Sequence, residues 1–397
     1  MRILILANDF KPRSGGVAEY TDCLASELHK SGDSILVVSV PMPGAAAFDE
    51  EVDYAVSRVP RAEYGRTGCI MGRVLRFGKR FKTVMDAIMS FAPDVCLLNH
   101  TSGYFDAAYL ASRVKAVPIV LLAHDKEVLG ENSRIVHLAL KWVMNHIDAV
   151  VANSRYTAGL CRQTAPKQQN VHVVHPGVRV PFRKTEARRD CCEQVADLAR
   201  LSNRRVLLTI CRLVRHKGIE HTLRAVAEVV KCVPEVIYVV AGEEGEANAT
   251  EKLEALSRDL GLEDHVWFGG HVSEAEKHCL LEMAECFVML SRDLPGGHGE
   301  GFGIVFLEAA LHGVPSIGGR TGGIPEAVLH GETGLIVDPE DPHMVAQTMM
   351  DLLSDRDWRD RLGSNAMRRA VEVLTWPKQA SQIRRILREV VRARRPS

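Results

Sequence analysis

The chain has 397 residues, 46% of them hydrophobic and 25% charged, and its 50 Lys plus Arg are balanced by 50 Asp plus Glu. That length carries two core-bearing domains, and the balanced charge gives no electrostatic footprint for nucleic acid. No apolar run approaches the roughly 18–20 residues of a membrane-spanning helix. Ten cysteines are scattered without paired metal spacing; several, such as Cys96 and Cys286, fall in apolar runs where a free thiol packs as a small hydrophobe. The reading is a reduced, cytoplasmic chain with no zinc signature.

From the N-terminus, MRILILANDF reads as a buried strand and not a signal peptide, because charged and Gly-rich sequence follows without a small-residue cleavage site. Gly15-Gly16-Val17 then opens a helical pattern over 17–30. Glycines there let backbone approach a ligand at a helix start, or simply make a tight turn. The lack of G-x-G-x-x-G argues against a dinucleotide site. Strands over 3–7, 35–40, 95–98, 119–123, 149–152 and 171–174 alternate with longer helical patterns such as 70–89. Between positions 58 and 82 eight basic residues (Arg58, Arg61, Arg66, Arg73, Arg76, Lys79, Arg80, Lys82) face one acid, Glu63, while Ile70, Val74, Phe77, Phe81, Val84 and Ile88 recur at helical spacing. Such a helix either touches an anionic lipid surface or docks its stripe on its own domain. His124-Asp125 closes the strand at 119–123. The histidine sits where it can hydrogen-bond substrate hydroxyls, and Asp125 where it can cap the next helix.

After Pro176-Gly177 a polar stretch with Arg183, Lys184, Arg188 and Arg189 reads as a linker, and a second strand series begins: 206–210, 236–241, 266–268, 287–290, 315–317 and 335–337. Two α/β series of similar length predict two doubly wound Rossmann-like domains facing across a cleft, with ligands at the carboxyl ends of the strands. The expected boundaries are 1–178, 179–375, and a C-terminal helix over 376–397, itself basic from Arg384 to Arg395. Arg212 and Lys217, in ICRLVRHKG, end the strand at 206–210 ahead of a helix over 219–230. They suit two phosphates, or two solvated loop cations.

Glu300 and Glu308 lie in HGEGFGIVFLEAALHG with seven residues between them. The first follows a glycine-rich loop, Gly296-Gly297-His298-Gly299, and the second falls two turns into an apolar helix. A glutamate on a helix that is apolar almost all round needs a partner. Two carboxylates flanking a helix N-terminus can grip hydroxyls on either side of a diphosphate, as a nucleotide-sugar requires. Gly322-Gly323-Ile324-Pro325-Glu326 reads as a capped helix start, or as a loop near the donor sugar. Asp355-Arg356-Asp357 reads as a solvated helix face.

Taken in order, the R-x4-K pair, the E-x7-E run and the GGIPE and GETGL stretches resemble a GT-B-fold retaining glycosyltransferase of family four, with weaker matches at Gly15-Gly16-Val17, Ala152-Asn153-Ser154 and 174–178. The resemblance implies transfer of a sugar from a nucleoside-diphosphate-sugar to a hydroxyl acceptor with retention, in surface polysaccharide or glycolipid biosynthesis. The first domain would bind the acceptor, and the second the donor. Glu300 would contact the donor sugar near its C3 hydroxyl and Glu308 the ribose. Arg212 and Lys217 would neutralise the diphosphate with backbone at Gly303, Ile304, Val305 and Gly16. His124 would bound the sugar and acceptor, and Gly270-His271-Val272 would meet the base through main-chain atoms. No cofactor or metal is expected. The expected partners are the donor, a carbohydrate or lipid-linked sugar acceptor and an anionic membrane at its inner face. Cys211 replaces the family's usual glycine, and AGEEGE departs from its usual spacing. A phosphorylase on the same fold and a catalytically silent sugar-binding module are the alternatives.

Overall fold

A computed structural model describes residues 1–59, 70–101, 105–125, 128, 134–180, 198–201, 203–294 and 299–394. The linker cations Arg183 to Arg189, Gly296, Gly297 and His298, and positions 60–69 of the basic stretch lie outside the described residues. The chain divides into two units, Met1–Pro176 with Trp376–Ser397, and Gly177–Thr375.

Runs of Val, Ile and Leu with no polar alternation form strands buried on both faces, which is the condition of a parallel sheet covered by helices. The strands of the first unit are β1 (Arg2–Leu6), β2 (Ser34–Ser39), β3 (Ala55–Arg58), β4 (Val95–Leu98), β5 (Ile119–Ala123), β6 (Ala149–Ala152) and β7 (Val171–Val173), all parallel, in the order β3-β2-β1-β4-β5-β6-β7, the two edge strands β3 and β7 being less buried. Chain order reverses between β1 and β4, so loops leaving those strands splay apart and open a crevice at their carboxyl ends.

The sequence pattern misses β3 because AVSR is short and half-polar, and this changes the meaning of Arg58. Instead of opening a solvent-facing basic surface, Arg58 turns inward. It pairs with Asp49 at 2.6 Å, donates to the Lys11 carbonyl at 2.7 Å and lies 5.2 Å over the Phe10 ring. In helix Ile70–Phe91, Val84 and Ile88 are buried and Phe77 and Phe81 pack on the same core, while Lys79 and Lys82 face water. The described part of this stripe therefore docks on its own sheet.

Helix Trp376–Arg394 belongs to the first unit and lies on helix Gly16–Lys30. Its apolar stripe, including Ile383, Leu387 and Val390, is buried. Trp376 meets the Tyr20 ring edge-on at 4.8 Å. Two of its cations are held by carboxylates of the unit: Arg384 reaches Asp33 at 2.6 and 3.0 Å, and Arg394 reaches Asp148 at 2.5 Å.

The second unit carries β8 (Arg205–Ile210), β9 (Val236–Ala241), β10 (Val266–Gly270), β11 (Ala284–Met289), β12 (Ser316–Gly319) and β13 (Gly334–Val337), in the parallel order β10-β9-β8-β11-β12-β13. Its reversal falls between β8 and β11. Core lies on both faces, with Leu208, Phe287 and Phe306 on one and Leu207, Val288 and Met349 on the other. Gly177 and Val178 go with this unit, the Val178 N–H donating to the Leu374 carbonyl at 2.8 Å. Asp355 caps helix Arg356–Glu372 by accepting from the Trp358 N–H at 2.8 Å. Among the described residues no helix is long and apolar enough to cross a membrane.

Asp33 has a fully buried side chain. Burial opposes its charge, but Arg384 and the Met1 amino group outweigh that and hold its carboxyl below the usual carboxylate range. A depressed carboxylate pKa contributes stability that is present above the unfolded value, near 4, and is lost as pH falls through the folded one. Arg384→Met should destabilise the protein by about 2 kcal/mol at pH 7, less than the ~3–5 kcal/mol for a buried charge left with no partner, since the Met1 amino group remains. Denaturant unfolding should show the gap between variant and parent narrowing as pH falls below about 5 and narrowing further below the usual carboxylate range; a gap that does not narrow as pH falls would contradict the assignment.

Candidate functional site

At the reversal point of the second unit, the loops after β8 and β11 bring a lysine and a glutamate together. Lys217 ends the 3-10 turn Arg215–Lys217, and Glu300 lies between β11 and helix Ile304–Leu311. The Lys217 ammonium binds Glu300 Oε2, with 15% and 13% of the two side chains exposed. Burial alone would lower the lysine pKa, but Glu300 reverses this and raises it, so Lys217 stays an ammonium.

Two glycines hold the pair. Gly218 has φ +70°, and a Cβ there would sit 2.0 Å from the Leu290 carbonyl oxygen, so the lysine turn presses directly on the end of β11. Gly322 has φ +55°, and a Cβ there would sit 2.0 Å from the Glu300 carbonyl oxygen, which accepts from the Gly323 N–H at 2.9 Å. Only glycine meets both conditions at such positions. The GGIPE stretch thus clamps the Glu300 backbone. Arg212, on the same loop as Lys217, is exposed and close enough for its charge to act on Lys217. Burial pushes the Cys211 thiol up to about 12, so it is a protonated packing group.

Glu308 lies one turn, not two, into helix Ile304–Leu311, flanked by buried Leu307 and Ala309. The partner its apolar helix demands is Lys277, which the sequence did not single out. Lys277 Nζ is 2.8 Å from Glu308 Oε1 and 2.8 Å from Glu274 Oε2. The signal for Lys277 is weak, a lysine on an ordinary helix, Glu274–Met283, opened by the Ser273/Glu276 capping box. Beside it His278 Nδ1 and His312 Nε2 are 2.9 Å apart. Among the described residues no side chain caps the first turn at Gly303, Ile304 and Val305, so these amides point out of the helix start. On the far side of β9, the Gly242 N–H donates to the Gly270 carbonyl at 2.6 Å and exposed His271 meets Glu243 at 3.0 Å. The AGEEGE turn and the Gly270-His271-Val272 segment are therefore neighbours.

The first unit places its polar groups in the loops after β1, β4, β5 and β6. Gly15 and Gly16 are exposed at the start of helix Gly16–Lys30. Asn99, after β4, is buried and was not foreseen. Its amide donates to the Asp9 carbonyl at 2.9 Å and the Thr21 hydroxyl at 3.2 Å, tying the β1 and β4 loops together. His124, after β5, packs on the edge of Tyr20 at 4.7 Å. Burial, with His100 adding to it, lowers its pKa to about 3, so it is a neutral imidazole at physiological pH. The Asn153 amide donates to the His124 carbonyl at 2.6 Å, and Ser154 caps helix Arg155–Thr164. Gly15, Gly16 and His124 thus belong to one unit, and the other candidate residues to the second.

Residues 193–369 match the description "Glycosyl transferases group 1" and residues 14–180 "Glycosyltransferase Family 4". A GDP-mannose-dependent alpha-(1-6)-phosphatidylinositol monomannoside mannosyltransferase of Mycobacterium tuberculosis (strain ATCC 25618 / H37Rv) is 30% identical over 395 residues, covering 98% of each chain. Its namesake from Mycolicibacterium smegmatis is 29% identical over 391 residues, 97% of this chain and 98% of its own. The crystal structure of Anabaena Alr3699/HepE in complex with UDP and glucose shares the fold, with a TM-score of 0.80 and 22% identity over 98% of this chain and 100% of that one. Sequence across both units, the order of the motifs and the paired sheets agree: the chain belongs to the group 1, family 4 glycosyltransferases, with their fold of two Rossmann-like domains.

Proposed function

We propose that this glycosyltransferase moves a mannosyl group from GDP-mannose to a hydroxyl of a lipid-linked glycoside, with retention of anomeric configuration. The observation that carries the reading is the buried Lys217–Glu300 pair beside the uncapped start of helix Ile304–Leu311. The names of the mycobacterial relatives support the donor and the class of acceptor.

Breaking the bond between the anomeric carbon and the diphosphate loads charge on the leaving group. Lys217, Arg212 and the amides of Gly303, Ile304 and Val305 are fixed donors for that charge, and fixed donors cost no reorganisation as the bond breaks. Glu300, clamped at its backbone by Gly323, holds a sugar hydroxyl near C3 and does not attack the anomeric carbon. The acceptor hydroxyl enters on the face the diphosphate leaves, and a phosphate oxygen takes its proton. Glu308 holds the ribose and Gly270-His271-Val272 the base. His124 serves the acceptor side as a neutral hydrogen-bonding group. The charges in this scheme are met by the chain alone, with no metal or cofactor.

An anionic membrane face also fits. Helices Ile70–Phe91, Phe105–Lys115 and Arg134–Met144 share one core cluster on one face of the first sheet. Their outward side chains include Met89, Leu110, Val114, Leu138 and Trp142, the first 61% and the last 54% exposed, with Lys82, Arg113 and Lys141 also facing water. Exposed apolar groups among cations suit the interface of anionic lipid.

Two experiments follow. Glu300→Gln and Lys217→Ala should each lower turnover with GDP-mannose by about 10²–10³-fold, as loss of one preorganised transition-state contact does, and NMR of the product should show the donor's anomeric configuration; near-native turnover in either variant, or an inverted product, would contradict the scheme. Co-sedimentation with anionic phospholipid vesicles should be strong at low salt, weak at high salt, and lost in the double variant Leu138→Asp, Trp142→Asp; no binding at low salt would remove the membrane face.

A further inference from the structure

Glu308 is under an unusual constraint for a group meant to bind hydroxyls. It projects from an eight-residue helix whose other side chains are nearly all apolar, yet a quarter of it remains exposed. Nothing in the apolar packing of its neighbours fixes which way a carboxylate placed there points. Ribose hydroxyls held by a carboxylate need an ionised acceptor oxygen in one fixed orientation. Something must supply a counter-charge and a direction.

Lys277 supplies both. Its side chain is 13% exposed and its ammonium is itself held by Glu274, whose side chain is 71% exposed, so Lys277 is braced from the solvent side and directed at Glu308 Oε1. Burial tends to discharge the lysine, but Glu308 and Glu274 outweigh it and keep the ammonium charged. Glu308 Oε2 has no partner among the described residues. The next residue along, His278, meets His312, which closes the Glu308 helix, so the two helices are joined at two points. That double clasp fixes the distance from which Lys277 acts.

We infer that Lys277 is a positioning residue that orients Glu308 toward the ribose of the donor nucleotide, making tight binding depend on the ribose hydroxyls. The inference rests on the ribose role proposed for Glu308. Lys277 touches no substrate in this scheme; one oxygen of Glu308 is spent on the lysine, and the other faces the ligand. An arginine at 277 would keep the charge and most of the direction, whereas a methionine keeps the packing volume alone.

The test is calorimetric titration of GDP, UDP and the 2′,3′-dideoxy form of each into the parent, Lys277→Met, Lys277→Arg and Glu308→Gln, read on the base that binds tighter. Lys277→Met should weaken the ribonucleotide about tenfold, the effect of losing a charge-assisted hydrogen bond, and leave the dideoxy form within about twofold of the parent. Lys277→Arg should recover most of the loss, and Lys277→Met added to Glu308→Gln should cost nothing further. Equal weakening of ribo and dideoxy forms by Lys277→Met would show a merely structural lysine and overturn the inference. So would an unweakened Lys277→Met beside a Glu308→Gln that does discriminate, which leaves the ribose reading of Glu308 standing. A Glu308→Gln that binds ribo and dideoxy forms as the parent does would overturn that reading itself, and the inference with it.

Discussion

Lys217 and Glu300 are opposite charges withdrawn from water at the reversal point of the second sheet, and the surrounding structure is arranged to make that tolerable. Desolvating either ion alone costs several kcal/mol, and their attraction offsets this only when the geometry is held. The two left-handed glycines hold it. Gly218 lets the lysine turn press on the end of β11, and Gly322 lets the next loop reach the glutamate carbonyl. A pair of this kind adds little to stability over apolar packing of the same volume. Its retention makes physical sense if a ligand enters between the two charges, the diphosphate meeting the ammonium and a sugar hydroxyl the carboxylate.

The same logic repeats across the second unit. Each glutamate of the E-x7-E run has its own lysine, Lys217 for Glu300 and Lys277 for Glu308. Two carboxylates so close to a helix start would otherwise repel an anionic ligand. Neutralised one by one, they leave Arg212 and the open amides to set the local potential. The first unit differs: beside the Lys11–Glu19 and Arg13–Asp9 ion pairs, the loops after β4 and β5 carry a buried Asn99 and an imidazole that stays uncharged at physiological pH. Neutral hydrogen-bonding groups suit sugar hydroxyls, as fixed cations suit phosphate.

Much of this was legible in the sequence because parallel strands buried on both faces leave unbroken apolar runs. Twelve of them stand out, and the one strand missed, β3, is short and half-polar. Arg58 shows the cost: a charge count over 58–82 cannot tell a solvated cation from one that closes the end of an edge strand on Asp49 and Phe10. Glu300, Glu308, Arg212 and Lys217 could be named because glycines and apolar helix positions surround them. Lys277 and Asn99 could not. Their roles come from contacts 31 and 78 to 90 residues away in the chain, which local pattern does not encode. The GGIPE pattern suits a capped helix start or a loop near the donor sugar; that its glycines meet the Glu300 carbonyl emerges only from the fold.

The most direct measurement is a crystal structure of the protein with a non-transferable analogue of GDP-mannose. The diphosphate should take the Lys217 ammonium at hydrogen-bond distance, about 3 Å, while Glu300 turns to a sugar hydroxyl and keeps its backbone bond to Gly323. A diphosphate bound elsewhere, with the Lys217–Glu300 pair untouched, would contradict the role given to that pair.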